Sequence, residues 1–235
     1  MAMRYIRLKK LNPGSELRGI VLRERSKKFS KKSKDTWVSK KQSILITGLA
    51  ASGKSRELEK LHDARADLYP KAKGFIKLSA TDSLADWILK NVTPEKMAEY
   101  IESHQEDEVT HAYLAKNEKR QAIQLQALEH AAAGAVLFVD DLDRCTGKKK
   151  EVIKPMIKAA RLVIATAESE TSIDKTLGHM LKSKRYNEIT LNSSQSYDVT
   201  NAAIVSLIIM MLATGQYEMA MLIMAMRYAM KGKGA

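Results

Sequence analysis

Short apolar runs recur through the middle of the chain at 43–47 (SILIT), 74–79 (GFIKLS), 135–140 (AVLFVD), 161–166 (RLVIAT) and 187–191 (NEITL). Longer stretches of mixed polarity separate them, a spacing that predicts parallel strands covered by helices and joined by right-handed crossovers. The expected fold class is α/β, with a five-stranded parallel sheet in a three-layer core. About 55 residues lie between the second and third runs and predict a helical insertion. Within it, Thr93-Pro94-Glu95 offers a hydroxyl cap followed by proline at the first helical position. Residues 115–133 (AKNEKRQAIQLQALEHAAA) hold strong helix formers and no breaker.

The two ends read differently. Residues 3–12 (MRYIRLKKLN) alternate apolar and basic side chains and predict an edge strand, which Pro13-Gly14 turns. Residues 23–37 (RERSKKFSKKSKDTW) lack apolar periodicity and predict a flexible or solvent-facing arm. At the other end, 201–213 (NAAIVSLIIMMLA) and 219–226 (MAMLIMAM) flank Thr214-Gly215-Gln216, and seven of the twelve methionines fall within 210–230. This predicts an apolar helical hairpin, packed on the core or on another subunit with Met filling irregular gaps, or else meeting lipid. Neither run reaches the roughly 18 to 20 residues that cross a ~30 Å hydrocarbon core. The expected organisation is a basic N-terminal arm at 1–41, a core domain at 42–192 and a C-terminal apolar helical segment at 193–235.

Charge sharpens the first boundary. Residues 1–41 hold fourteen Lys and Arg against three Asp and Glu, almost the whole of the chain's net +13. Such a segment attracts polyanions. Phe29 and Trp37 within it are placed to stack on bases or to anchor it, and Trp37, just ahead of the first buried strand, is also a candidate neighbour of an adenine. The single cysteine, Cys145, cannot form an intrachain disulfide, and the start MAMRYIRLKKLNPGS lacks the apolar stretch of a secretion signal. The expected compartment is a reducing cytoplasm, or the inner face of a membrane if the apolar hairpin or the basic arm is peripheral to it.

The chemistry begins where the first buried strand ends. Residues 48–55 (GLAASGKS) fit GxxxxGKS/T at every fixed position, between a strand and a helix. Successive backbone N–H groups of such a loop form a nest for phosphate oxygens, and the helix adds the partial positive charge of its first turn. Gly48, Ala51, Ser52, Gly53, Lys54, Ser55 and the following Arg56 are thus candidate nucleotide contacts. Lys54 is suited to the β- and γ-phosphates and Ser55 to Mg²⁺. At the end of the third run, VLFVDDLDRC places Asp140 and Asp141 where open parallel sheets bind ligands. Asp140 is the candidate Mg²⁺ ligand, acting through water, and Asp141 the candidate base or water-orienting group.

GLAASGKS followed by VLFVDDLDRC resembles the P-loop NTPases of the additional-strand class, the group containing AAA+, STAND and KAP-type ATPases, with DDLDRC closest to the KAP-type pattern. The resemblance covers roughly residues 43–191. It implies a P-loop NTPase core in which a further strand, between those carrying the loop and the aspartates, bears a polar sensor at its tip. RLVIATAES supplies Thr166 for that role, with Glu168 just beyond. It also implies firing in trans, for which Arg144, Arg161 and Arg185 are candidates, Arg185 favoured by its place before the last strand. Most AAA+ members have Glu where Asp141 stands, and that shorter arm implies slow hydrolysis or a nucleotide-controlled switch. KAP-type proteins are usually longer, with clear transmembrane helices.

The function expected is a Mg²⁺-dependent ATPase acting as a homo-oligomeric motor or switch on DNA, engaged through residues 1–41. Alternatives are a membrane-associated ATPase of secretion, conjugation or phage assembly, engaged through residues 201–226, and a small-molecule kinase, for which no arginine-bearing lid is located.

Overall fold

The central sheet is built from β4 (Ser43–Thr47), β5 (Phe75–Ser79), β6 (Val136–Asp140), β7 (Leu162–Ala167) and β8 (Tyr186–Thr190). Each lies within one residue of an expected strand. All pairings are parallel, in the order β5-β6-β7-β4-β8. The computed structural model describes residues 3–12, 18–25, 33–116, 119–191, 206–211, 213–219, 221 and 223. Its two compact units are residues 1–194 and 195–235.

The apolar runs are continuous because both faces of the sheet are covered. Leu45, Leu137, Val139, Val163 and Ala165 join one core with Trp87, Leu128, Ile153, Met156, Leu177 and Leu181, which come from α3 (Leu84–Asn91), α6 (Arg120–Ala131), α7 (Gly147–Ala159) and α8 (Lys175–Ser183). The alternate residues Ile44, Ile46, Val136, Phe138 and Ile164 join a second core with Leu58 and Leu61 of α1 (Lys54–Asp63) and Leu68 of α2 (Arg65–Leu68). Strand side chains alternate faces with a period of two, so each strand feeds both cores. At the β5 edge, Lys77 N–H donates to Asn91 Oδ1 (3.1 Å) and Asn91 Nδ2 donates to Lys77 O (3.0 Å), which occupies main-chain groups that would otherwise template another strand.

Within residues 1–41 the edge strand expected at 3–12 forms, but the described residues of 23–37, expected as an arm, are also in strands. The described part forms a three-stranded antiparallel sheet of β1 (Met3–Lys10), β2 (Arg18–Arg25) and β3 (Ser33–Val38), in the order β1-β2-β3. Ile6 and Ile20 are buried in the second core, with Leu8, Leu22 and Val38 packed against it. The basic residues obscured this apolar face in the sequence. Residues 13–17 and 26–32, between these strands, lie outside the described residues.

The insertion is helical, as expected, and α4 (Pro94–Ser103) starts on Thr93, whose hydroxyl accepts from Lys96 N. Within 115–133, where helix formers run without a breaker, α6 spans Arg120–Ala131, preceded by α5 (Glu108–Lys116) and by Lys119 at φ 52°. Tyr100, Ile123 and Ala127 give the insertion a small core of its own. In the second unit, residues 206–211 and 217–219 are helical and flank a turn at Thr214 and Gly215, where the hairpin was expected. Most of 201–226 beyond these lies outside the described residues. Among the described residues, no helix is long and apolar enough to cross a membrane.

Candidate nucleotide site

β4 leads straight into the glycine loop, and α1 begins at Lys54 with Gly53 as its N-cap at φ 89°. That left-handed conformation favours glycine. At Gly48 the constraint is space: a Cβ would lie 2.6 Å from Ser52 Oγ and 2.8 Å from Leu191 O. Gly48 N–H donates to Glu168 O (3.1 Å) and Leu191 N–H donates to Thr47 O (2.7 Å), so the ends of β7 and β8 brace the loop's entrance. Lys54 is buried, its ammonium donating to the carbonyls of Gly48 (2.6 Å) and Leu49 (3.0 Å). Ser55 and Arg56 are exposed on the first turn of α1.

The second carboxylate site meets this loop. Asp140 Oδ1 accepts from Ser55 Oγ (3.0 Å) and from Thr166 Oγ1 (2.6 Å), while Thr166 Oγ1 accepts from Asp141 N–H (2.8 Å). Three elements therefore converge on one oxygen: α1 through Ser55, β6 through Asp140 and β7 through Thr166. β7 lies between β4 and β6, where the resemblance puts the sensor strand. Thr166 is fully buried, with its hydroxyl committed to Asp140 and Asp141. The hydroxyl of Ser55 and the carboxylate of Asp140 are hard oxygen donors, the set that magnesium takes.

Asp141 occupies the left-handed region, with φ 55° and ψ 51°. Aspartate tolerates that region better than most residues, though at a cost. Burial, and next the neighbouring Asp140 charge, push the Asp141 carboxyl above its ordinary pKa, partly opposed by Arg144. Arg144 Nη1 lies 3.7 Å from Asp141 Oδ2. Asp143 has a bracing role: its Oδ2 accepts from Glu168 N–H (3.2 Å) and from Ser172 Oγ (3.3 Å), tying the loop after β6 to the loop after β7.

Not every candidate gathers here. Arg185 is level with Ser43, whose N–H donates to its carbonyl (3.2 Å), at the amino end of the strands. About 13 Å of strand separates it from its own glycine loop at the usual rise per residue. Arg161 is at the same end, donating to Lys71 O (2.6 Å). Of the three arginines only Arg144 lies at the phosphate end. Trp37 sits over Gly19 of β2, on the alternation that faces away from the second core.

Sequence reasoning passed over Glu57. This buried carboxylate, one turn into α1, accepts from Ile6 N–H (3.1 Å) through Oε2 and from Lys60 Nζ (2.7 Å) through Oε1. It joins the glycine-loop helix directly to the N-terminal sheet.

Strand, glycine loop, helix, inserted sensor strand and strand-end aspartate stand in one order around one crevice. The chain has the P-loop NTPase fold. No family model and no curated protein matches the chain. Among solved structures it is similar to Thermomonospora curvata EccC (ATPases 2 and 3) in complex with a signal sequence peptide, at 15% identity over 81% of this chain and 41% of that one, TM-score 0.41. It is also similar to domain III of the Thermotoga maritima replication initiation protein DnaA, at 9% identity over 75% and 64%, TM-score 0.38. The Aeropyrum pernix ORC1 protein in complex with DNA is matched at 14% identity over 66% and 40%, TM-score 0.40. The chain thus spans less than two thirds of each of these structures.

Proposed function

We propose that the chain is a magnesium-dependent ATP hydrolase of AAA+ or KAP-like type, working as an oligomeric motor or switch on DNA. The observation that carries the nucleotide part is the shared oxygen of Asp140, which accepts the hydroxyls of both Ser55 and Thr166. Main-chain N–H groups of Gly48 to Gly53 and the Lys54 ammonium would hold the β- and γ-phosphates, releasing Lys54 from its carbonyl partners. Ser55 and Asp140 would hold magnesium, which when bound neutralises charge on the phosphate oxygens.

Asp141 would orient the attacking water and accept its proton as the water oxygen bonds to the γ-phosphorus and the bond to the β–γ bridging oxygen breaks. Its raised pKa suits a base. Thr166 is a positioning residue, holding Asp140 and the Asp141 main chain in place. An arginine finger would come from a neighbouring subunit, with Arg185 the candidate, since it lies far from its own loop. The short Asp141 side chain fits slow turnover, which suits a switch. The DNA part rests on the charge of residues 1–41 and on the contact that Glu57 makes between their sheet and α1.

Lys54→Ala should abolish nucleotide binding by calorimetry. Asp141→Asn should keep nucleotide yet stop phosphate release. Turnover in the Lys54 variant would show the site to be misassigned, and unchanged turnover in the Asp141 variant would remove that residue as the base.

A further inference from the structure

The outer face of the N-terminal sheet carries a pattern of its own. Ile6, Leu8, Ile20, Leu22 and Val38 turn toward the core, so the alternate positions share the opposite face. Strand register arranges them in rows. Tyr5, Arg23 and Asp35 form one, Arg7, Val21 and Trp37 the next, with Lys9 opposite Gly19 beyond and Arg25 opposite Ser33 on the other side. Trp37 lies against β2 at Gly19, where a Cβ would come within 2.3 Å of its ring, yet the residue remains 54% exposed. The indole thus rests on the β2 backbone and still presents a broad surface to solvent.

Arg7, Lys9, Arg23 and Arg25 share its face by register, with one carboxylate, Asp35, among them. Asp35 is clamped by Arg23, through contacts of 2.6 and 2.7 Å, and by Lys9, which hold its carboxyl well below the usual range. Arg7 is exposed, and the Arg25 guanidinium lies 5.7 Å from the centre of the Tyr5 ring. Neither makes an ion pair with any described residue.

We infer that this face is a platform for single-stranded nucleic acid, with phosphates met by Arg7 and Arg25 and a base stacked on Trp37. The inference rests on the DNA reading above and narrows it. A cationic surface alone attracts any polyanion, but an open aromatic ring selects strands whose base faces are free, as stacking in a duplex covers them. Charge excess and aromatic exposure coincide on this one face.

The chain's second tryptophan, Trp87, is fully buried, so changes in tryptophan fluorescence on adding nucleic acid report on Trp37. The probe is an oligothymidylate of about 12 nucleotides, within the span of small single-strand-binding domains. It should quench the wild-type chain, and Trp37→Leu should lose the quenching and weaken binding about 5- to 150-fold by anisotropy. Trp37→Phe should restore most of the affinity. Arg7→Gln should lower the slope of log affinity against log salt by about 0.7. Nucleotide affinity checks that each variant is folded.

Wild-type binding by both the Trp37→Leu and Arg7→Gln variants would overturn this face while leaving the broader DNA reading standing. Equal competition by a duplex of the same length would overturn the single-strand preference. No binding of either probe by the wild type would overturn both readings.

Discussion

Thr166→Val probes the junction between loop, sensor strand and aspartates with little change of shape. Thr166 is fully buried, and its hydroxyl makes two contacts, to Asp140 Oδ1 at 2.6 Å and from Asp141 N–H at 2.8 Å. Valine keeps the branched outline and removes both. Leaving the Asp141 N–H without a partner costs about 1–3 kcal/mol, and the charge-assisted bond to Asp140 contributes about 1.5–3 kcal/mol. The added burial of a methyl group offsets about 0.8 kcal/mol. The net loss is then about 2–5 kcal/mol, or a fall in Tm of about 4–20 °C for a unit of this size. The bond also helps hold Asp141 in the left-handed region, a conformation costing about 1–2 kcal/mol. Its removal should let the carboxylate swing away, so hydrolysis should fall more than nucleotide affinity. Calorimetric melting and phosphate release on the same preparations measure both, and Thr166→Ser, which restores the hydroxyl, should recover most of each. A Thr166→Val protein melting within about 1 °C of the wild type with undiminished turnover would refute the reasoning.

Asp141→Asn should raise Tm at neutral pH. A carboxyl whose pKa is raised on folding costs stability above that pKa and nothing below the unfolded value near 3.8, so the gain should shrink as pH falls through this window; a gain constant with pH would exclude charge as its cause. Glu57→Ala leaves the Ile6 N–H without its acceptor and should cost about 1–3 kcal/mol in urea unfolding, whereas Glu57→Gln, which keeps a carbonyl oxygen there, should cost less. Equal losses would mean that the charge, not the hydrogen bond, matters. Gly48→Ala forces a Cβ onto Leu191 O and Ser52 Oγ and should destabilise by about 1 kcal/mol or more, while weakening nucleotide binding; a neutral substitution would show that the loop entrance yields.

The sheet and the crevice were legible because their signals are local. β4, β6 and β7 are unbroken apolar runs until their ends for want of a solvent-facing side, and residues 48–55 need only their own spacing to define a loop. Of the N-terminal sheet only β1 was legible, from the alternation over 3–12; around β2 and β3 the inward residues, Ile20, Leu22 and Val38, are few, and Arg and Lys dominate the composition. The break between α5 and α6 falls at Lys119, with no Gly or Pro to mark it. Glu57 reads as one more acid on a helix, because its partner is a backbone N–H distant in sequence. Thr166 was visible as a strand-end residue, but its grip on both Asp140 and the Asp141 main chain depends on strand order, which residue spacing alone does not reveal.

The central claim is that the glycine loop and Asp140 form one site for a nucleotide and its magnesium. Isothermal titration of ATP into the wild type and Asp140→Asn, with and without magnesium, tests it most directly, since asparagine keeps an oxygen for Ser55 and Thr166 and removes only the charge. Magnesium should tighten ATP binding to the wild type and leave the variant's affinity nearly unchanged. Equal tightening in both proteins would contradict the account.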